Sequence, residues 1–136
     1  MKSLKVNKSP KGQLVVQEFR NFPFNPKRFF VVSGVGKGET RGYHAHREES
    51  QILVCLRGKI TLNNEAIEGV VSKETLLPNE CFFLDKLVWS EQTYEEEDTI
   101  LLCFCSENFN EDEYIRNKDE FYEILRKENE QERLSH

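Results

Sequence analysis

The apolar positions of this chain come in short runs. From residue 13 to residue 105, stretches rich in Val, Ile, Leu and Phe alternate with Gly, Pro, Asn and Asp, and no helical period intervenes. Strands are expected at "QLVVQEF", "RFFVVSG", "GYHAH", "QILVCLRGKITL", "EGVVS", "CFFLD", "LVWSEQ" and "TILLCFCS". Strands this short and this evenly spaced predict an all-β fold, an antiparallel sandwich or small barrel. Gly58 should turn the chain between two strands, and "LNNEA" reads as a hairpin loop.

One strand breaks the alternation. In "TILLCFCS", Ile100, Leu102 and Phe104 fall on one face and Leu101, Cys103 and Cys105 on the other, so both faces are apolar. Such a strand must be covered twice, by a second sheet or by a partner subunit. After residue 106 the pattern turns acidic and then helical, with Phe121, Ile124, Leu125 and Leu134 near one face. We expect residues 107–136 to be a helical extension on the outside of the barrel, fraying over "ENEQERLSH". Residues 1–136 then make a single domain.

Composition narrows the class. Hydrophobic residues are 38% and charged residues 32%, as in a soluble globular protein, and no apolar run reaches the roughly 20 residues of a membrane span. "MKSLKVNKSPKG" has basic residues without the apolar stretch of a secretion signal, so the expected location is the cytoplasm. Cys55, Cys81, Cys103 and Cys105 sit in apolar runs without metal spacing and read as buried thiols. A net charge of -5 argues against nucleic acid as a partner. Yet Arg28, Lys37, Arg41, Arg47, Arg57 and Lys59 gather in one third of the chain, as a solvated face or as a site for an anionic small molecule. "SGVGKGE" lacks the helix and Ser/Thr of a phosphate loop and reads as a turn feeding the next strand.

That strand carries the candidate chemistry. In "RGYHAHR", His44 and His46 project to one face of an extended strand, while Tyr43 and Ala45 point away. Gly38 precedes His44 by six positions, Gln51 follows His46 by five, and Gly58 follows Gln51 by seven, which is the spacing of the first cupin motif. Metal-dependent cupins place Glu where Gln51 stands and take a further His from a second motif, which reads "ECFFLDKLVWSEQ" here; the remaining histidine is the terminal His136. Glu48 or Glu49 could add a carboxylate, with Glu49 out of phase with Gln51. This donor set is poor for a divalent metal, and no metal or other cofactor is expected. Two imidazoles beside Arg41 suit proton transfer through an enediol or enolate.

With "KGQLVVQE", "NPKRFFVV", "RGYHAHREESQILVCLRG", "LVWSEQ" and "DEYIRNKDEF" in view, the chain closely resembles the sugar 3,4-ketoisomerases of the cupin superfamily. Those enzymes act on dTDP-4-keto-6-deoxyglucose in deoxyaminosugar biosynthesis for surface glycans such as lipopolysaccharide O-antigen. The resemblance implies a jelly-roll-like barrel, a homodimer with exchanged N-terminal strands, and metal-free catalysis. It makes His44 and His46 the proton-transfer pair, with Arg41 on the sugar oxygens or the diphosphate. Gln51 and Ser90 become candidate sugar contacts, Trp89 a stacking surface or a plug in the barrel mouth, and Arg28 and Arg57 candidate diphosphate ligands. Tyr43 is a weaker candidate, and Arg116 reads as structural. Three positions depart from the family's habit: Ser90 stands where a histidine is common, Phe29 and Phe30 where tyrosine is common, and Lys11 at a variable site. The rival readings are a cupin epimerase, for which no His/acid dyad is evident, a non-catalytic sugar-binding cupin, and a metal-dependent oxygenase.

Overall fold

The structure is a computed structural model describing residues 2–67 and 69–135. In chain order the strands are β1 (Lys5–Ser9), β2 (Gly12–Val16), β3 (Arg28–Val32), β4 (Thr40–His46), β5 (Gln51–Arg57) and β6 (Ile60–Ile67). There follow β7 (Val70–Leu76), β8 (Cys81–Leu84), β9 (Trp89–Tyr94), β10 (Ile100–Cys105), a short 3-10 turn at Glu111–Glu113, β11 (Tyr114–Ile115) and helix α1 (Lys118–Leu134). One antiparallel sheet has the order β3-β10-β5-β8 and the other β11-β4-β9-β6-β7, while β1 and β2 form a separate hairpin. The all-β expectation holds.

The core lies between the two larger sheets. Leu53, Cys55, Leu101, Cys103 and Cys105 from one meet Ile60, Leu62, Leu76 and Tyr94 from the other. All four cysteines are free and buried, and burial pushes the thiols of Cys55 and Cys81 up to about 11. The second apolar face of "TILLCFCS" is covered within the chain: Leu102 and Phe104 pack with Leu4, Val15, Phe22 and Phe24 of the N-terminal segment. Phe104 sits edge-on to both Phe19 and Phe22. Beside it on β3, Phe29 and Val31 stay 66% and 50% exposed, so the cover is incomplete.

Helix α1 covers the outside of the other sheet. Asn117 caps it by accepting a hydrogen bond from the Glu120 amide at 2.9 Å, Asp119 and Glu120 complement the dipole of the first turn, and Phe121 is fully buried against Ala45, Trp89 and Ile115. Lys118 pairs with the buried Glu65 at 3.2 Å, tying the helix to β6.

Several boundaries differ from the sequence reading. "LNNEA" is inside β6, not a loop; β6 pairs on both sides, with β7 and β9, and Ile67 opposes Val70, so the reversal falls beside Gly69 at φ 81°. The strand at "QLVVQEF" ends at Val16, and β1 lies in a segment where no strand was expected. Helix α1 continues to Leu134 rather than fraying from "ENEQ", and Leu134 is 81% exposed, outside the packed face. Glu68 and His136 are outside the described residues.

Candidate active site

The site begins with an irregularity in β4. Arg41 and His44 are three residues apart, so a regular strand would send them to opposite faces. The pairing of β4 with β9 slips between Gly42 and His44, with Gly42 at φ 101° and Tyr43 at φ 58°. This bulge absorbs the odd residue and returns Arg41, His44 and His46 to one face. Only glycine fits its first position, since a Cβ there would lie 2.7 Å from the Ser90 carbonyl oxygen.

That face opens on a cavity of about 530 Å³ lined by Arg28, Phe30 and Val32 of β3, Arg41, Gly42 and His44 of β4, and Gln51 of β5. Gln92 and the C-terminal residues Phe109, Tyr114 and Arg116 complete the wall. Arg28, Arg41, His44 and Gln51 are thus brought together. His46 stands just behind the wall, 3% exposed, its ring 4.9 Å from that of His44 and perpendicular to it.

The imidazoles are held differently. The His44 Nδ1 lies 3.0 Å from the Gly42 carbonyl oxygen, which can only accept, so Nδ1 carries the hydrogen and Nε2 keeps its lone pair. Burial lowers the His44 pKa below the ordinary histidine value, with the Gly42 carbonyl opposing that shift. Burial, followed by His44, Arg28 and Arg116, pulls His46 down to about 3. Both rings are neutral at pH 7.

Tyr114 is the residue the sequence reading missed. Strand β11 pairs with β4 so that Tyr114 opposes His46, and its ring lies 5.0 Å from His44 and 4.7 Å from His46. Two residues on, Arg116 shares its face, lies 4.5 Å over the Tyr114 ring and is gripped by Glu111 at 3.0 and 3.2 Å. Arg116 therefore lines the cavity, contrary to its structural reading. The alternation of "YIR", with Ile115 buried between two polar residues, was the available signal.

Glu49 also corrects the sequence reading. It sits in the irregular link from β4 to β5, where strand phase does not apply, and its carboxylate turns inward at 2% exposure. It accepts from Gln51 Nε2 at 2.7 Å and from Arg28 Nη2 at 3.3 Å, and its Oε2 lies 3.4 Å from His46 Nε2. The contact is not a hydrogen bond, and His46 Nε2 has no hydrogen-bond partner among the described residues. Burial raises the Glu49 pKa although Gln51 and Arg28 both oppose the rise. A His/acid pair, absent from the sequence reading, is present.

Four candidates fall outside the cavity wall. Trp89 packs on Phe121 beneath α1 and donates Nε1–H to Glu91 at 3.0 Å, because odd positions of β9 face the helix. Arg57 is exposed at the end of β5 opposite Gln51. Tyr43 is turned outward by the bulge, 50% exposed. Ser90 opposes His44 in register but is buried, donating to Asn64 Oδ1 at 2.6 Å. Lys11, in the turn between β1 and β2, is not in the wall either. Among the described residues no three His, Cys, Asp or Glu side chains converge as metal ligands.

The two-sheet barrel has the fold of the cupin sugar isomerases, with His44 among arginines in its cavity and His46 behind the wall. The chain belongs to the family described as FdtA: WxcM-like, C-terminal, matched over residues 1–126. TDP-4-oxo-6-deoxy-alpha-D-glucose-3,4-oxoisomerase of Aneurinibacillus thermoaerophilus is 31% identical over 122 residues, covering 88% of this chain and 86% of that one. QdtA, a sugar 3,4-ketoisomerase from Thermoanaerobacterium thermosaccharolyticum solved with TDP, is 30% identical with a TM-score of 0.85 over 93% of each chain. A mutant of QdtA was solved with TDP-4-keto-6-deoxyglucose. A 3,4-ketoisomerase from Helicobacter canadensis is 28% identical, with a TM-score of 0.84 over 91% of this chain and 94% of that one.

Proposed function

We propose that this protein converts TDP-4-keto-6-deoxyglucose into a TDP-3-keto-6-deoxyhexose by proton transfer through a 3,4-enediol, with His44 as the group that moves the carbon-bound proton. The observation that carries this is His44 itself: it lines the cavity with Nδ1–H fixed on the Gly42 carbonyl and Nε2 free to accept.

The bonds balance as follows. Nε2 of His44 takes the hydrogen from C3 while the C4 carbonyl oxygen gains a proton, giving the enediol. C4 then receives a proton and the C3 hydroxyl loses one, leaving a ketone at C3 and a hydroxyl at C4. Tyr114 edges both imidazoles, and Gln51 and Gln92 present amides to the sugar. Arg28, Arg41 and Arg116 take the diphosphate, where forked guanidinium donors match phosphate oxygens. Arg41 is exposed and has no ion-pair partner among the described residues, which leaves its donors for a ligand. With the neutral amide of Gln51 where metal-dependent cupins carry a carboxylate, the chemistry proceeds without a metal.

The same reading makes the protein a cytoplasmic homodimer that exchanges N-terminal strands and supplies a deoxyaminosugar route to surface glycans. The β1–β2 hairpin, largely exposed, and the uncovered Phe29 and Val31 support the dimer. The pair His46–Glu49 beside Tyr114 favours a second reading, a 3-epimerase returning the proton to C3.

The test is turnover of TDP-4-keto-6-deoxyglucose by wild type, His44→Asn and His46→Asn, with substrate affinity of each measured by calorimetry. Keto migration with wild type, lost in His44→Asn while binding persists, supports the assignment. Equal turnover by His44→Asn removes it.

A further inference from the structure

Glu49 is a buried carboxylate that the sequence pattern did not account for. Burying it costs several kcal/mol unless donors and counter-charges surround it. The chain meets that cost at one spot, behind the cavity wall: Gln51 donates to one oxygen at 2.7 Å, Arg28 to the other at 3.3 Å, and His46 Nε2 stands 3.4 Å away. The link carrying Glu49 is itself pinned, since Glu113 Oε2 accepts from the amides of Glu48 at 2.8 Å and Glu49 at 3.1 Å. Arg47 adds a bond to Glu120 at 2.8 Å.

Two of the partners, Arg28 and Gln51, are cavity-lining residues, and the third is half of the imidazole pair. We propose that Glu49 is a positioning residue: its carboxylate orients the ring of His46 with Nε2–H toward itself and supplies the counter-charge when His46 holds a proton, while fixing Gln51 and Arg28 in the wall. This rests on the ketoisomerase reading for its catalytic meaning.

The surrounding charges agree. Both carboxylate oxygens already accept a hydrogen bond, as an ionised carboxylate does. Arg28 disfavours a proton on His46, as do His44 and Arg116, whereas the Glu49 carboxylate, 3.4 Å from Nε2, is a counter-charge in reach. An acid partner that holds an imidazole in one tautomer and stabilises its protonated form contributes to proton transfer without touching substrate.

The experiment uses full-length wild type, Glu49→Gln and Glu49→Asp, with steady-state kinetics and nitrogen NMR of the His46 ring in the ligand-free proteins. In Glu49→Gln, kcat should fall at least about ten-fold with KM within about two-fold, as for loss of a proton-transfer aid. Glu49→Asp, which keeps the charge, should recover part of that loss. The His46 ring should be the Nε2–H tautomer in wild type and change in Glu49→Gln. An unchanged kcat, a loss confined to KM, or an identical His46 tautomer in wild type and Glu49→Gln would overturn the proposal. If wild type fails to isomerise the sugar, the ketoisomerase reading falls, while the NMR comparison still decides the Glu49–His46 contact.

Discussion

At the scale of single residues, the site depends on keeping two imidazoles neutral. His44 has its pKa lowered by burial, so its free base persists below the ordinary histidine value of about 6.5. The acid limb of the kcat/KM–pH profile, which reports the free enzyme, should therefore lie below about pH 6.5; a limb above that value would mean another group limits the rate. Asparagine at position 44 keeps a polar side chain but removes the base, and kcat should drop by about two to four orders of magnitude. The same shifts bear on stability. His46 titrates at about 3 when folded and at about 6.5 when unfolded, so as pH falls the unfolded chain takes the proton first. Stability is thus lost between about pH 6.5 and pH 3, and His46 makes no pH-dependent contribution above that window. Glu49, with its pKa raised, works in the opposite sense in acid because the folded chain binds its proton first. Denaturant titrations across this range should show a smaller loss for His46→Gln than for wild type; equal slopes would contradict the shift.

At the scale of elements, the bulge in β4 decides which side chains meet. Gly42→Ala places a Cβ against the Ser90 carbonyl at a φ of 101°, so it should destabilise the protein by about 1–3 kcal/mol and lower kcat as the histidine face slips. A variant with native melting and native kcat would show that the bulge does not align the site. Trp89 offers the contrasting case, packed under α1 and away from the cavity. Trp89→Phe should lower the melting temperature and leave KM unchanged; a raised KM would return Trp89 to the substrate. The strands were legible because their period of two survives in the sequence, and the helix because Phe121, Ile124 and Leu125 share a face. Asn63 and Asn64 misled because they have turn chemistry, yet pairing of β6 on both sides overrides it and Asn64 is buried against Ser90. His44, His46, Gln51 and Arg28 were readable from spacing or family resemblance. Tyr114, Arg116 and Glu49 reach the site through a two-residue strand, marked only by the alternation of "YIR", and an irregular link that no local period marks.

At the scale of the whole molecule, the outer face of the β3-β10-β5-β8 sheet is covered only in part. Phe29 and Val31, on its β3 edge, are each at least half exposed. Sedimentation should give twice the 16.0 kDa of one chain, and Phe29→Glu should shift the population toward monomer. A wild-type monomer would remove the exchanged-strand dimer. Metal removal tests the cavity as a unit: dialysis against chelator should leave turnover unchanged, because Gln51 replaces the carboxylate a divalent ion would need. Activity lost to chelator and restored by iron or manganese would point to the oxygenase reading.

In the proposed reaction His44 moves a proton between two neighbouring carbons of one sugar. Proton NMR of TDP-4-keto-6-deoxyglucose with metal-stripped enzyme in heavy water follows that event directly. The 3-keto sugar should appear with wild type, with loss of the C3 proton signal, and neither change should occur with His44→Asn. Exchange at C3 without keto migration would contradict this in favour of an epimerase; no change with wild type would mean that the protein does not isomerise this sugar.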